Sequence, residues 1–137
     1  MNLVAALTPE ELSALLAQSD EQRAAWMIED VAAHEEVWGL EDANGWVVAK
    51  LASPLQDGPA YALPLWPRQE LAALEAAGPN EQPRAVDMET LLEELLPEVA
   101  ERNWAVLAFS VKNAGRAYRT EEFSAALAEA WEALAED

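Results

Sequence analysis

Apolar residues recur along the chain with two periods, and the change from one to the other separates helices from strands. In TPEELSALLAQ, Thr8 is placed to cap a helix, Pro9 to open it and Glu11 to complete a capping box, with Leu12, Leu15 and Leu16 on one stripe. A second helix, capped at Ser19 or Asp20, carries Ala24, Met27, Ile28 and Val31 at helical spacing and leaves Trp26 off the stripe. The period then shortens. Residues 37–41 and 46–51 read as two strands joined by a turn built on Asn44-Gly45. A two-residue loop at Asn44-Gly45 or a four-residue loop over 42–45 keeps Trp38, Leu40, Val47, Ala49 and Leu51 on one face.

Prolines and Asp57-Gly58 mark residues 52–60 as a loop. In YALPLWPRQELA, residues 61–65 predict a third strand, and Pro64, which cannot donate to a ladder, puts it at a sheet edge or at a frayed end. Pro67 suits the first position of a helix with Leu71 and Leu74 inward and Gly78 as its stop. The two prolines thus punctuate: the strand ends and the helix begins. Residues 84–86 predict a short strand, and Asp87 caps a helix whose stripe is Met88, Leu91, Leu92, Leu95 and Val99. Pro97 lies within that helix and is expected to kink or split it.

WAVLAFSV is nearly continuous in apolar residues, as a central strand covered on both faces should be. KNAG turns the chain, RAYR returns as a short strand, and Thr120 caps a last helix with Phe123, Leu127, Ala130, Trp131 and Leu134 inward. These elements predict an α+β fold over residues 1–137: a single domain with a mostly antiparallel sheet of four or five strands and flanking helices. Strand order stays open.

Three blocks resemble a bacterial domain-of-unknown-function family of small α+β proteins: VWGLEDANGW, then LPLWPRQELA, then VDMETLLEELLP followed by WAVLAF. The resemblance spans residues 26–109, and its most distinctive part is the middle block with Leu63, Pro64, Trp66 and Pro67. It implies a compact intracellular domain of uncharacterised role. It transfers no activity, cofactor or site residue.

Composition narrows the function classes. A formal charge of −18, from 26 acidic and 8 basic residues, repels phosphate backbones and anionic lipid, so neither nucleic acid nor membrane is an expected partner. The same charge favours attraction to a basic protein. Cysteine is absent, which excludes thiol catalysis and thiolate metal sites and fits a cytoplasmic address. MNLVAALTPEEL has no positive charge and only a short apolar run, so no signal peptide is expected.

Chemistry-bearing patterns are sparse. The lone histidine, His34, reads as a solvated residue near a helix end, and no serine stands in a G-x-S-x-G context. Glu94, Glu98 and Glu101 share a helical face but lack the histidine spacing of a di-iron site, so they read as a solvated acidic face. No catalytic residue, cofactor or metal site is therefore expected. Lys112, Arg116 and Arg119 gather three of the basic residues in one short hairpin, where pairing with nearby glutamates is the simplest role and anion binding the other.

Of six tryptophans, Trp38, Trp104 and Trp131 fall on predicted inward positions, whereas Trp46 faces away from its hairpin's apolar side and Trp66 stands at a corner beside Arg68. Candidate binding residues are thus Trp46, Trp66, Arg68, Lys112, Arg116 and Arg119. The reading they favour is a non-enzymatic interaction protein, such as an acidic inhibitor or immunity-type partner of a basic protein. The alternatives are a sensor or uncommon enzyme with a pocket near Trp66, Arg68 and the Lys112–Arg119 hairpin, and a homodimer formed through an apolar patch.

Overall fold

The chain's first two helices begin in reciprocal capping boxes. Thr8 accepts from the Glu11 amide while Glu11 accepts from the Thr8 amide, opening α1 (Pro9–Leu16); Ser19 and Gln22 do the same for α2 (Asp20–His34). The computed structural model describes residues 7–51, 58–112 and 114–135, so most of the predicted 52–60 loop and Asn113 of the predicted turn lie outside the described residues. The stripe of α2 is buried as its spacing requires, and Glu35, left-handed at φ 56°, ends the helix.

Strands β1 (Glu36–Asp42) and β2 (Gly45–Trp46) form the predicted hairpin, closed by Asp42↔Gly45 and Glu41↔Trp46. Gly45 takes φ 109°, a left-handed value that a side chain would oppose. The predicted second strand does not continue along β1. After Val47, whose amide donates to Leu40, it crosses to another sheet as β3 (Ala49–Lys50), pairing with β4 (Tyr61–Leu65). Leu51 consequently joins a small cluster with Ala62, Ala105 and Leu107, not the face of Leu40.

The expected single sheet is therefore two: β2-β1-β5, with β5 at Gln82–Asp87, and β3-β4-β6-β7, with β6 at Ala105–Val111 and β7 at Ala114–Tyr118. All pairings are antiparallel except β4 with β6, which is parallel. This makes β4 an internal strand instead of an edge. Pro64 is tolerated because the ladder to β3 stops at Ala62, so on that side there is no pair for it to break.

Beyond β4, Trp66 joins the two sheets. Its amide donates to the Trp38 carbonyl and its carbonyl accepts from the Trp38 amide, both at 2.7 Å. Its indole, 2% exposed, donates to the Ser110 carbonyl at 3.0 Å. That carbonyl lies where the β6–β7 register shifts between Ala108 and Val111 and Phe109 adopts φ 49°. The buried Arg23 guanidinium donates to the adjacent Phe109 carbonyl at 3.3 Å. The bulge thus keeps its inward carbonyls paired, as buried backbone requires.

α3 (Gln69–Glu75) starts after Arg68, with Pro67 just outside it, and ends before Gly78. This shorter helix buries Leu71 and Ala72, and Leu74 is exposed, contrary to its predicted inward position. Asp87 does cap the next helix, its carboxylate accepting from the Thr90 amide at 3.0 Å. Pro97 splits that helix as expected: α4 (Met88–Thr90), a π-turn (Leu91–Leu95), then α5 (Leu96–Glu101). The wider turn removes the clash between the proline ring and the carbonyl four residues earlier. Met88, Leu91, Leu95 and Val99 are buried as their spacing predicts and Leu96 joins them, whereas Leu92, expected inside, is 40% exposed.

In α6 (Thr120–Ala135), Thr120 is the first helical residue, not the cap; the Arg119 amide is met instead by Glu122 Oε1 at 3.1 Å. Phe123 and Leu127 are buried beside α2 and β6. Trp131 and Leu134, predicted inward, are exposed because the core ends before the last turns of the helix.

Replacing Trp66 by Phe is expected to lower unfolding stability by about 1–3 kcal/mol, because the buried Ser110 carbonyl loses its donor. Trp66→Ala adds a cavity and should cost about 3–5 kcal/mol. Urea unfolding of the two variants beside the parent checks both values.

Candidate functional site

Most residues singled out in the sequence have internal partners. Trp66 is core. Arg68 forms a two-bonded pair with Asp30, Nε to Oδ2 and Nη2 to Oδ1, each at 2.9 Å, and lies 5.6 Å from the centre of the Trp26 ring. The hydrogen bond to Asp30 raises the Arg68 pKa further, so the guanidinium stays charged. His34 approaches the same carboxylate at 3.5 Å, from a side chain one-third exposed. Both oxygens of that carboxylate already accept from Arg68.

The basic hairpin also makes local contacts, at Lys112 through the backbone amide and at Arg116 through the guanidinium. The Lys112 amide donates to Glu75 Oε1 at 2.5 Å, and the Arg116 guanidinium stands 4.2 Å from the Tyr118 ring centre. Arg119 lines a hollow of about 120 Å³ with Trp104 and Thr120. Trp46 is half-buried, its ring filling the space where Gly39 has no side chain: a Cβ there would come within 2.7 Å of Trp46 Cζ3. Arg84, paired with Glu41, stacks 4.8 Å from the Trp46 ring centre. The six candidates are therefore not gathered into one site. Among the described residues, no three of His, Cys, Asp or Glu are grouped to hold a metal ion.

Among the described residues, three larger hollows lie beside the helices. One of about 460 Å³ lies beside Trp46, Arg84, Asp87, Thr90, Glu94 and Glu98. Another, of about 500 Å³, runs between α2 and α6 past Trp26, Asp30, Ala33, Ala130 and Leu134. The third, about 290 Å³, lies between α4 with its π-turn and α6, lined by Met88, Leu92, Ser124, Leu127, Ala128 and Trp131, with Glu132 at its margin. Leu92 at 40% and Trp131 at 43% exposure bring large apolar side chains from two elements to the water-facing side of this groove.

Glu132 is the one charged residue that lines this third groove, and the two segments that form its walls are acidic. Residues 88–101 carry Glu89, Glu93, Glu94, Glu98 and Glu101, and α6 carries Glu121, Glu122, Glu129 and Glu132, with no lysine or arginine in either segment. Sequence reading missed the groove because a periodic stripe signals an apolar face without saying whether the protein covers it.

The fold and this surface define a class: an α+β protein with a two-sheet core and an apolar groove between acidic helices. The chain belongs to the family described as Protein of unknown function (DUF2750), whose model matches residues 24–127. Among curated proteins, no match to the chain was found. The matched region takes in both sheets and the Leu92 wall and ends at Leu127, short of Trp131. Among the described residues, no helix is long and apolar enough to cross a membrane.

The Asp87 cap supplies a pH test. Its hydrogen bonds with Thr90 lower its pKa below the ordinary 3.8. A carboxylate whose pKa is depressed on folding contributes stability above the unfolded value, and that contribution fades as pH falls through the folded value. The stability difference between the parent and Asp87→Asn is therefore expected to be constant above about pH 5 and to diminish below about pH 4. Denaturant titrations at stepped pH measure it.

Proposed function

We propose that this protein is a non-enzymatic binding protein that covers a basic surface on a protein partner, in the manner of an acidic inhibitor or immunity-type protein acting in the cytoplasm. The observation carrying this reading is an apolar groove whose one charged lining residue is Glu132, set between two segments that carry glutamates and no lysine or arginine, in a chain of net charge −18. Charge of one sign around an apolar strip steers an oppositely charged partner into place and leaves burial to hold it. Trp131 supplies the residue type that most often anchors such contacts. The rival, a sensor or uncommon enzyme with a pocket near Trp66, Arg68 and the Lys112–Arg119 hairpin, gains no support, since Trp66 is buried, Arg68 is paired with Asp30 and Arg119 lines a separate hollow of about 120 Å³.

The test is affinity capture from a native lysate at about 50 mM salt, with the captured protein identified, purified and studied kinetically. The expected partner is stoichiometric and basic, and its association rate constant falls at least about tenfold when salt is raised to about 300 mM. An acidic partner, a salt-insensitive association rate, or no stoichiometric partner would each overturn the proposal.

A further inference from the structure

We infer that the groove between residues 88–101 and α6 is the docking site for an amphipathic helix on that basic partner, with its apolar face against Leu92 and Trp131 and its lysines and arginines against the flanking glutamates. This inference rests on the proposed binding role and adds the place and form of the contact. Three features carry it. On one wall, Met88 and Leu92 are four residues apart; on the other, Ser124, Ala128 and Trp131 follow at steps of four and three. Each set therefore follows one helical face, and together they make a strip about 10–12 Å long. That length matches two turns of a bound helix, whose anchors recur at i, i+3 or i+4, and i+7.

The second feature is relief. Ser124 and Ala128 are small, so the floor between Leu92 and Trp131 stays low enough to receive a bulky side chain. The third is charge, which selects the occupant. Two copies of this chain joined by this face would oppose glutamate-bearing walls to glutamate-bearing walls, and such self-association is repelled. A helix with basic flanks meets the same walls with attraction. The acids then select, and Leu92 and Trp131 hold.

The experiment uses the full chain with three synthetic peptides of about 18 residues: an amphipathic helix of leucine and lysine, a scramble of the same composition, and an amphipathic helix with glutamine in place of lysine. Binding is read by calorimetry at low salt. The amphipathic basic peptide is expected to bind at least about tenfold more tightly than either control. Leu92→Ala with Trp131→Ala should abolish that preference, while Trp131→Phe should retain most of it. Both altered side chains are exposed, and an unchanged thermal transition verifies that the variants fold.

The failures separate. If the basic helix and its scramble bind equally, and the double variant changes nothing, the groove assignment falls and the acidic binding role stands. If the glutamine helix binds as well as the lysine helix, the basic character of the occupant is overturned. If neither basic peptide binds, the binding role falls and the groove assignment with it. A dimer in sedimentation that Trp131→Ala converts to monomer would overturn the inference in favour of a second copy.

Discussion

The indole of Trp66, held on the Ser110 carbonyl, is the contact on which the architecture turns. Strand β6 cannot run regularly to its end, because the register slips after Ala108 and Phe109 takes a left-handed backbone. A slip of this kind turns backbone carbonyls out of the ladder and into the protein. Left without donors they would oppose folding, each by about 1–3 kcal/mol. Trp66 meets one of them and Arg23 the other. Because the Trp66 backbone also exchanges two hydrogen bonds with Trp38, the residue that stabilises the irregular strand also fastens the three-stranded sheet to the four-stranded one.

A second constraint, Pro97, acts on the outside of the molecule. It cannot sit in regular α-helix without striking the carbonyl four residues back, and the π-turn before it relieves that clash. The inward face is kept through the turn: Met88, Leu91, Leu95, Leu96 and Val99 are all in the core, and Leu92 lies beside α6 at the edge of that face. With Trp131 opposite, Leu92 completes an apolar strip between two segments whose charged residues are all glutamates.

Local signals were legible in the sequence. Thr8 and Asp87 cap helices as their side chains predict, residues 61–65 form a strand, and the apolar run ending in Val111 is an internal strand of its sheet. What depends on distant partners was not. Nothing near Arg68 reveals that its carboxylate lies thirty-eight positions earlier, at Asp30. Residues 46–51 carry a uniform strand pattern, yet their two halves pair in different sheets, a division set by where Trp66 meets β1. Trp131 and Leu134 continue the helical period of Phe123 and Leu127 without interruption, and only the extent of the core shows that they are uncovered. The groove was illegible for the same reason: it lies between segments whose juxtaposition no local pattern encodes.

Hydrogen exchange of the tryptophan indole protons, followed by NMR on the free protein under native conditions, tests the central claim most directly. If Trp66 locks the two sheets through Ser110, its Nε1–H exchanges only through global unfolding and is the slowest of the six indoles, while that of Trp131 exchanges within the dead time. Rapid exchange at Trp66, comparable to that at Trp131, would contradict the account.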